Sequence, residues 1–104
     1  MRELLVLLLL LPGPAVAEEA PPAERRTELL YLLRQDCGSC HGMTLAGGLG
    51  PALLPEALSD RTVEGLAEVI RAGIPGTPMP PWGFEITGEE ARWLARKLKE
   101  GIPP

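Results

Sequence analysis

The sequence predicts an all-α domain of three main helices joined by long loops. Three observations carry that expectation. Apolar residues recur at helical spacing in three separate windows. No stretch alternates apolar and polar residues over a useful length, so no strand is expected. The helical windows are bounded by capping residues, glycine and proline. The expected organisation is a signal peptide over residues 1–17, a flexible leader over 18–24 and a single domain over 25–104.

The N-terminal segment has the grammar of an export signal. Leu4 to Leu11 is an almost unbroken leucine run, broken by Pro12-Gly13-Pro14 and followed by Ala15-Val16-Ala17, an A-x-A cleavage pattern. The apolar run is far shorter than the ~20 residues that span a bilayer, so no stable membrane anchor is expected. Cleavage after about Ala17 would leave about 87 residues with an unchanged net charge of −4. That balance argues against nucleic acid, whose recognition requires a basic patch. With 4% aromatic and 45% hydrophobic residues, the core would be aliphatic and thin, the kind that relies on a cofactor or cross-link.

The first helix is expected from about Ala23 to Asp36, with Leu29, Leu30, Leu32 and Leu33 on one face and Pro22 near its start. The second is expected from roughly Asp60 to Ala72. Val63, Leu66, Ala67 and Ile70 form its stripe, Ser59 or Asp60 its cap, and Gly73 its close. The third has the clearest signals. Thr87 and Glu90 form a T-x-x-E capping box, Ile86 stands in the staple position, and Ala91, Leu94, Ala95 and Leu98 repeat on one face. Lys97 and Lys99 suit the negative end of the dipole, and Gly101 ends the helix. Glu64, Glu68, Arg92 and Arg96 read as solvated helix faces, and Tyr31 and Trp93 as packing or surface residues.

Two loops exceed the ~2–8 residues usual between helices of a small bundle. They run from Gly42 to Pro55 and from Gly73 to Gly83. Their apolar residues Leu45, Leu49, Leu53, Leu54, Ile74, Met79 and Trp82 suggest loops wrapped around a ligand.

That ligand is indicated by Cys37-Gly38-Ser39-Cys40-His41, which holds both cysteines and the single histidine. A disulfide would close too short a loop to restrain the unfolded chain much, and it leaves His41 unexplained. A redox dithiol calls for a βαβ setting. Structural zinc wants four ligands, and only three Cys and His residues exist. C-x-x-C-H is the motif of c-type haem attachment and uses every element. In a helical turn, cysteines at i and i+3 point to one side, and the following histidine is rotated by about 100°.

The order of helix, C-x-x-C-H, "LGP" loop, helix, "TPMPPW" loop and capped final helix resembles a class I cytochrome c over nearly all of the mature chain. The resemblance implies the class I cytochrome c fold around one haem c, held by thioethers from Cys37 and Cys40. It implies His41 and Met79 as axial iron ligands, with the carbonyl of Pro51 accepting the proton of the other imidazole nitrogen. Met43 lies too close to His41 in sequence to reach the opposite face. Trp82 either packs beside the haem or is a plain core aromatic.

The implied function is a periplasmic one-electron carrier, a monomer and not an enzyme. The wording "CGSCHGMTLAGGLGPAL" and "GTPMPPWG" is similar to the small NirC-like (cytochrome c-55X) periplasmic cytochromes of denitrifying bacteria. This resemblance implies a redox protein partner, the haem-cd nitrite reductase. An alternative is an accessory protein in maturation of that enzyme or its special haem. A haem enzyme or gas sensor would require a distal acid–base group, and no second histidine supplies one. The chain has two lysines, both on the last helix, so docking would be largely apolar rather than steered by a lysine ring.

Overall fold

The computed structural model describes residues 4–11 and 20–103. The expected cleavage site after Ala17 and the whole Ala15-Val16-Ala17 segment lie outside the described residues. Leu4 to Leu11 form no helix, and each is at least 75% exposed. Among the described residues no helix is long and apolar enough to cross a membrane.

The described residues are helical without strands. Helix α1 covers Ala23–Leu32, beginning two residues inside the expected leader. Pro22 is its N-cap, with extended ψ, rather than a member of the first turn; its carbonyl accepts from Arg26 N at 2.9 Å. The chain does not leave the helix at Asp36. It widens into a π-helical turn over Leu33–Cys37 and tightens again into α2, Gly38–His41. The Cys-Gly-Ser-Cys-His segment is therefore the last part of one continuous helical rod. π-Turns of this kind are uncommon and are found mostly at functional positions.

Pro55–Leu58 forms a 3₁₀ turn, and α3 covers Val63–Ala72. Its cap is Thr62, not Ser59 or Asp60. The Thr62 hydroxyl accepts from Gly65 N at 3.0 Å, whereas Ser59 donates to the Glu56 carbonyl and belongs to the 3₁₀ turn. Gly73 ends α3 with φ 68°, as expected of a glycine at that place. Helix α4, Gly88–Glu100, carries the full capping box: Glu90 N donates to Thr87 Oγ1 and Thr87 N to Glu90 Oε1. Ile86, before the cap, is buried.

The core joins α1, α3 and α4. Leu29, Leu33, Ile86 and Leu94 are its largest fully buried side chains, each stabilising by roughly 1.5–3 kcal/mol. Trp93 is buried with them, while Tyr31 lies on the surface. One ion pair ties α1 to α4. Arg25 Nε donates to Glu90 Oε2 at 2.5 Å, and Arg25 Nη2 donates to the Glu85 carbonyl at 2.8 Å. At the other end of α4, Lys99 Nζ donates to the carbonyls of Leu58 and Arg61, holding the 3₁₀ segment against the helix. The expected solvated faces agree for Glu64 and Glu68, both exposed.

Candidate functional site

The site is built at the two long loops. At the end of the helical rod, Ser39 Oγ donates to the Asp36 carbonyl at 2.7 Å, which tightens the turn that carries both cysteines. Cys37 is half-buried and Cys40 exposed, and both thiols are free. Burial, assisted by the neighbouring Asp36 charge, pushes the Cys37 thiol up to about 11. Reactive dithiols depend on a lowered thiol pKa, whereas burial moves Cys37 in the other direction. Among the described residues no three His, Cys, Asp or Glu side chains converge in the way a metal ion would need.

The loop after His41 folds straight back onto the rod. Gly50 N donates to the Cys40 carbonyl at 2.7 Å and Gly47 N to the His41 carbonyl at 2.8 Å, so the loop satisfies the open end of the helix. Gly42 makes the reversal, with φ 92° and no room for a side chain: a Cβ there would lie 2.6 Å from the Gly47 carbonyl oxygen. The same loop delivers Pro51, whose carbonyl oxygen lies 2.7 Å from His41 Nδ1. A carbonyl can only accept, so Nδ1 is the protonated nitrogen and donates. In the neutral ring that leaves Nε2 with a free lone pair, the form in which an imidazole binds a metal.

The second loop returns along the end of α3. Trp82 N donates to the Ile70 carbonyl at 3.0 Å and Gly83 N to the Arg71 carbonyl at 3.0 Å. Within the loop, Ile74 N donates to the Met79 carbonyl at 3.2 Å, and Met79 N donates to Thr77 Oγ1 at 3.3 Å. Gly73 lets this loop approach, since its Cβ would stand 2.7 Å from the Met79 carbonyl oxygen. Met79 is thereby held half-buried by backbone contacts on both sides, while Met43 is 64% exposed. Both loops, Gly42 to Pro55 and Gly73 to Gly83, contain no charged residue.

The structure thus brings Cys37, Cys40, His41 and Pro51 together at one end of the rod and places Met79 and Trp82 on the second loop. Trp82 is half-buried against the core and stacks on Phe84, ring centroids 5.9 Å apart at 24°. Phe84 escaped the sequence reading, being one aromatic in a short polar link, and it is 81% exposed. Arg71 also escaped it. Its Nε donates to the Ile86 carbonyl at 3.1 Å and fixes the return to α4. The apolar loop residues divide: Leu45 is buried and Leu53 packs on the core, whereas Leu49 is 96% exposed.

Three comparisons bear on this arrangement. The family model described as cytochrome c oxidase, cbb3-type, subunit III matches residues 24–96. The cytochrome c55X of Paracoccus denitrificans (strain Pd 1222) is 52% identical over 98 residues, covering 94% of this chain and 94% of that protein. A solved structure of the c-type cytochrome NirC superposes with a TM-score of 0.76 at 52% identity, covering 78% of this chain and 95% of the other. The chain is also similar to one segment of the dihydro-heme d1 dehydrogenase of Pseudomonas aeruginosa, 40% identical over 99 residues. That match covers 95% of this chain and 19% of the longer protein.

Proposed function

Because the chain belongs to the cytochrome c55X family of c-type cytochromes, electron carriers with covalently bound haem c, we propose that it is a periplasmic carrier that delivers single electrons to the haem-cd nitrite reductase. In this reading Cys37 and Cys40 would form the two thioethers, His41 and Met79 would hold the iron, and Trp82 would pack beside the ring. Residues 1–17 are the export signal, removed after about Ala17, and the mature chain is a monomer without enzymatic activity of its own.

The observation that carries the reading is the His41 Nδ1 to Pro51 carbonyl hydrogen bond of 2.7 Å. It fixes the tautomer, frees Nε2 and raises the basicity of the imidazole. The donor set fits haem c: two unpaired thiols on one helical turn, one neutral imidazole nitrogen and one thioether in a backbone-held loop. When bound, haem c supplies reversible uptake of one electron at iron. The protein's part is to keep the surroundings unchanged between the two redox states. The Pro51 bond holds the imidazole, the Ile74–Met79 loop bonds hold the backbone that bears the thioether, and the core supports the helix ends from which the two loops spring. Thioether ligation and burial favour the reduced form and raise the potential. With the single histidine committed to ligation, no second imidazole remains to act as a distal acid or base. The absence of charge from both loops supports an apolar docking face of the small size typical of redox encounters, under ~1,200 Å².

Rapid mixing of the reduced, haem-loaded protein with oxidised haem-cd nitrite reductase tests this. A second-order oxidation whose rate changes less than about threefold between low and physiological salt is expected. No oxidation would sink the donor role. The similarity to a segment of a dihydro-heme d1 dehydrogenase favours one second reading, an accessory protein in maturation of the enzyme's special haem. That reading requires a labile sixth ligand. Ready carbon monoxide binding, together with no electron delivery, would establish it in place of the carrier.

A further inference from the structure

The role of Gly50 is not explained by backbone freedom. Its φ lies outside the left-handed region, so an alanine could adopt the same backbone, unlike at Gly42, Gly47 or Gly73. What it lacks is space. A Cβ at position 50 would stand 2.8 Å from both Cε1 and Nδ1 of His41 and 3.4 Å from Cγ, against one edge of the imidazole.

Neither partner is free to withdraw. The Gly50 peptide is pinned twice, its N–H donating to the Cys40 carbonyl at 2.7 Å and its carbonyl accepting from Gly48 N at 3.0 Å. The ring is tethered on the same edge, by its Nδ1–H to the Pro51 carbonyl. Position 50 therefore sits in contact with the nitrogen that makes that bond, one residue before the carbonyl that accepts it.

We propose that Gly50 is the positioning residue of the His41 imidazole: its bare α-carbon lets the backbone lie against the ring edge, which fixes the ring plane and keeps the Nδ1–H aimed at Pro51. This rests on His41 being the axial ligand. A methyl group at position 50 forces the ring to rotate or the Pro51 carbonyl to retreat. Either movement lengthens the hydrogen bond and leaves the nitrogen open to water. The contribution of Gly50 is therefore separate from that of Pro51, which supplies only a carbonyl.

The test is NMR of the haem-loaded protein in its reduced state, comparing wild type with Gly50→Ala and with Leu49→Ala. The latter is a control at a fully exposed neighbour in the same loop. In the wild type, a Gly50 α-hydrogen takes the direction of the missing Cβ and gives a nuclear Overhauser contact to the His41 ring. In Gly50→Ala the His41 Nδ1 proton exchanges with solvent at least about tenfold faster than in wild type, the loss expected for an opened hydrogen bond; Leu49→Ala exchanges as wild type does. Exchange in Gly50→Ala within about twofold of wild type would overturn the positioning role. If Gly50→Ala yields no haem-loaded protein, the wild-type contact decides, and its absence overturns the proposal. Failure of the ligation reading has a different signature. The wild-type His41 ring protons would then lack the large upfield displacement that a ligand beneath a haem plane experiences.

Discussion

Glu90 holds two structures together at once, and substitutions at this position separate them. Its Oε1 accepts from Thr87 N at 3.0 Å, closing the capping box of α4. Its Oε2 accepts from Arg25 Nε at 2.5 Å, joining α4 to α1. The two side chains retain 14% and 28% of their exposure, so the pair is worth about 1 kcal/mol, at the upper end for solvent-screened pairs. The capping-box bond contributes about 1 kcal/mol more. Glu90→Gln keeps an acceptor for Thr87 N and loses the charge, costing about 1 kcal/mol; Glu90→Ala loses both, costing about 2 kcal/mol. For a domain of this size these correspond to falls in Tm of roughly 4–8 °C and 8–16 °C. The Arg25 guanidinium holds the Glu90 carboxyl below its ordinary value of 4.5. A lowered folded-state pKa contributes stability that is complete above the unfolded value and disappears as pH falls through the folded one. The wild-type advantage over Glu90→Gln should therefore be constant from pH 7 down to about pH 5 and vanish in stronger acid. Thermal unfolding of the haem-loaded protein, followed by far-ultraviolet circular dichroism across that range, reads it directly. Equal losses for Gln and Ala, or a gap that persists in strong acid, would refute the division of roles.

Leu94, 1% exposed at the centre of α4, should cost about 2–5 kcal/mol when truncated to alanine, measured by denaturant unfolding. Thr62→Ala should cost about 1 kcal/mol through loss of the bond from Gly65 N, while Ser59→Ala, outside the helix, should cost less than half of that in the same assay. Pro51→Ala keeps the backbone carbonyl that His41 uses, so the His41 Nδ1 proton should exchange within about threefold of the wild-type rate.

What the sequence made legible was local. The capping box of α4 is encoded by four consecutive positions and a staple, and Thr87, Glu90 and Ile86 stand where those signals put them. The start of α3 was misplaced by three residues because two candidate caps precede Thr62, and only the 3₁₀ turn at Pro55–Leu58 decides between them. That turn consumes the Ser59 hydroxyl. The π-turn over Leu33–Cys37 has no local signature, since the same residues suit an ordinary helix. Pro51 was reached through family resemblance rather than physics, since ten residues separate it from His41 and the contact depends on the loop's path. The loop leucines show the limit of hydrophobicity alone: Leu45 and Leu49 are chemically identical, yet one is buried and the other 96% exposed. Gly50 was visible in "LGP", but its reason is a ring that meets it only in three dimensions.

The proposed pairing of His41 and Met79 on the iron has a spectroscopic signature. The pairing is tested most directly by the optical spectrum of the oxidised, haem-loaded protein in the far red, where sulfur-to-iron charge transfer absorbs, for wild type, Met79→Ala and Met43→Ala. A band is expected in the wild type that persists in Met43→Ala, whose side chain is 64% exposed, and vanishes in Met79→Ala. A wild type without the band that binds carbon monoxide readily, or a band lost with Met43 instead of Met79, would contradict the pairing.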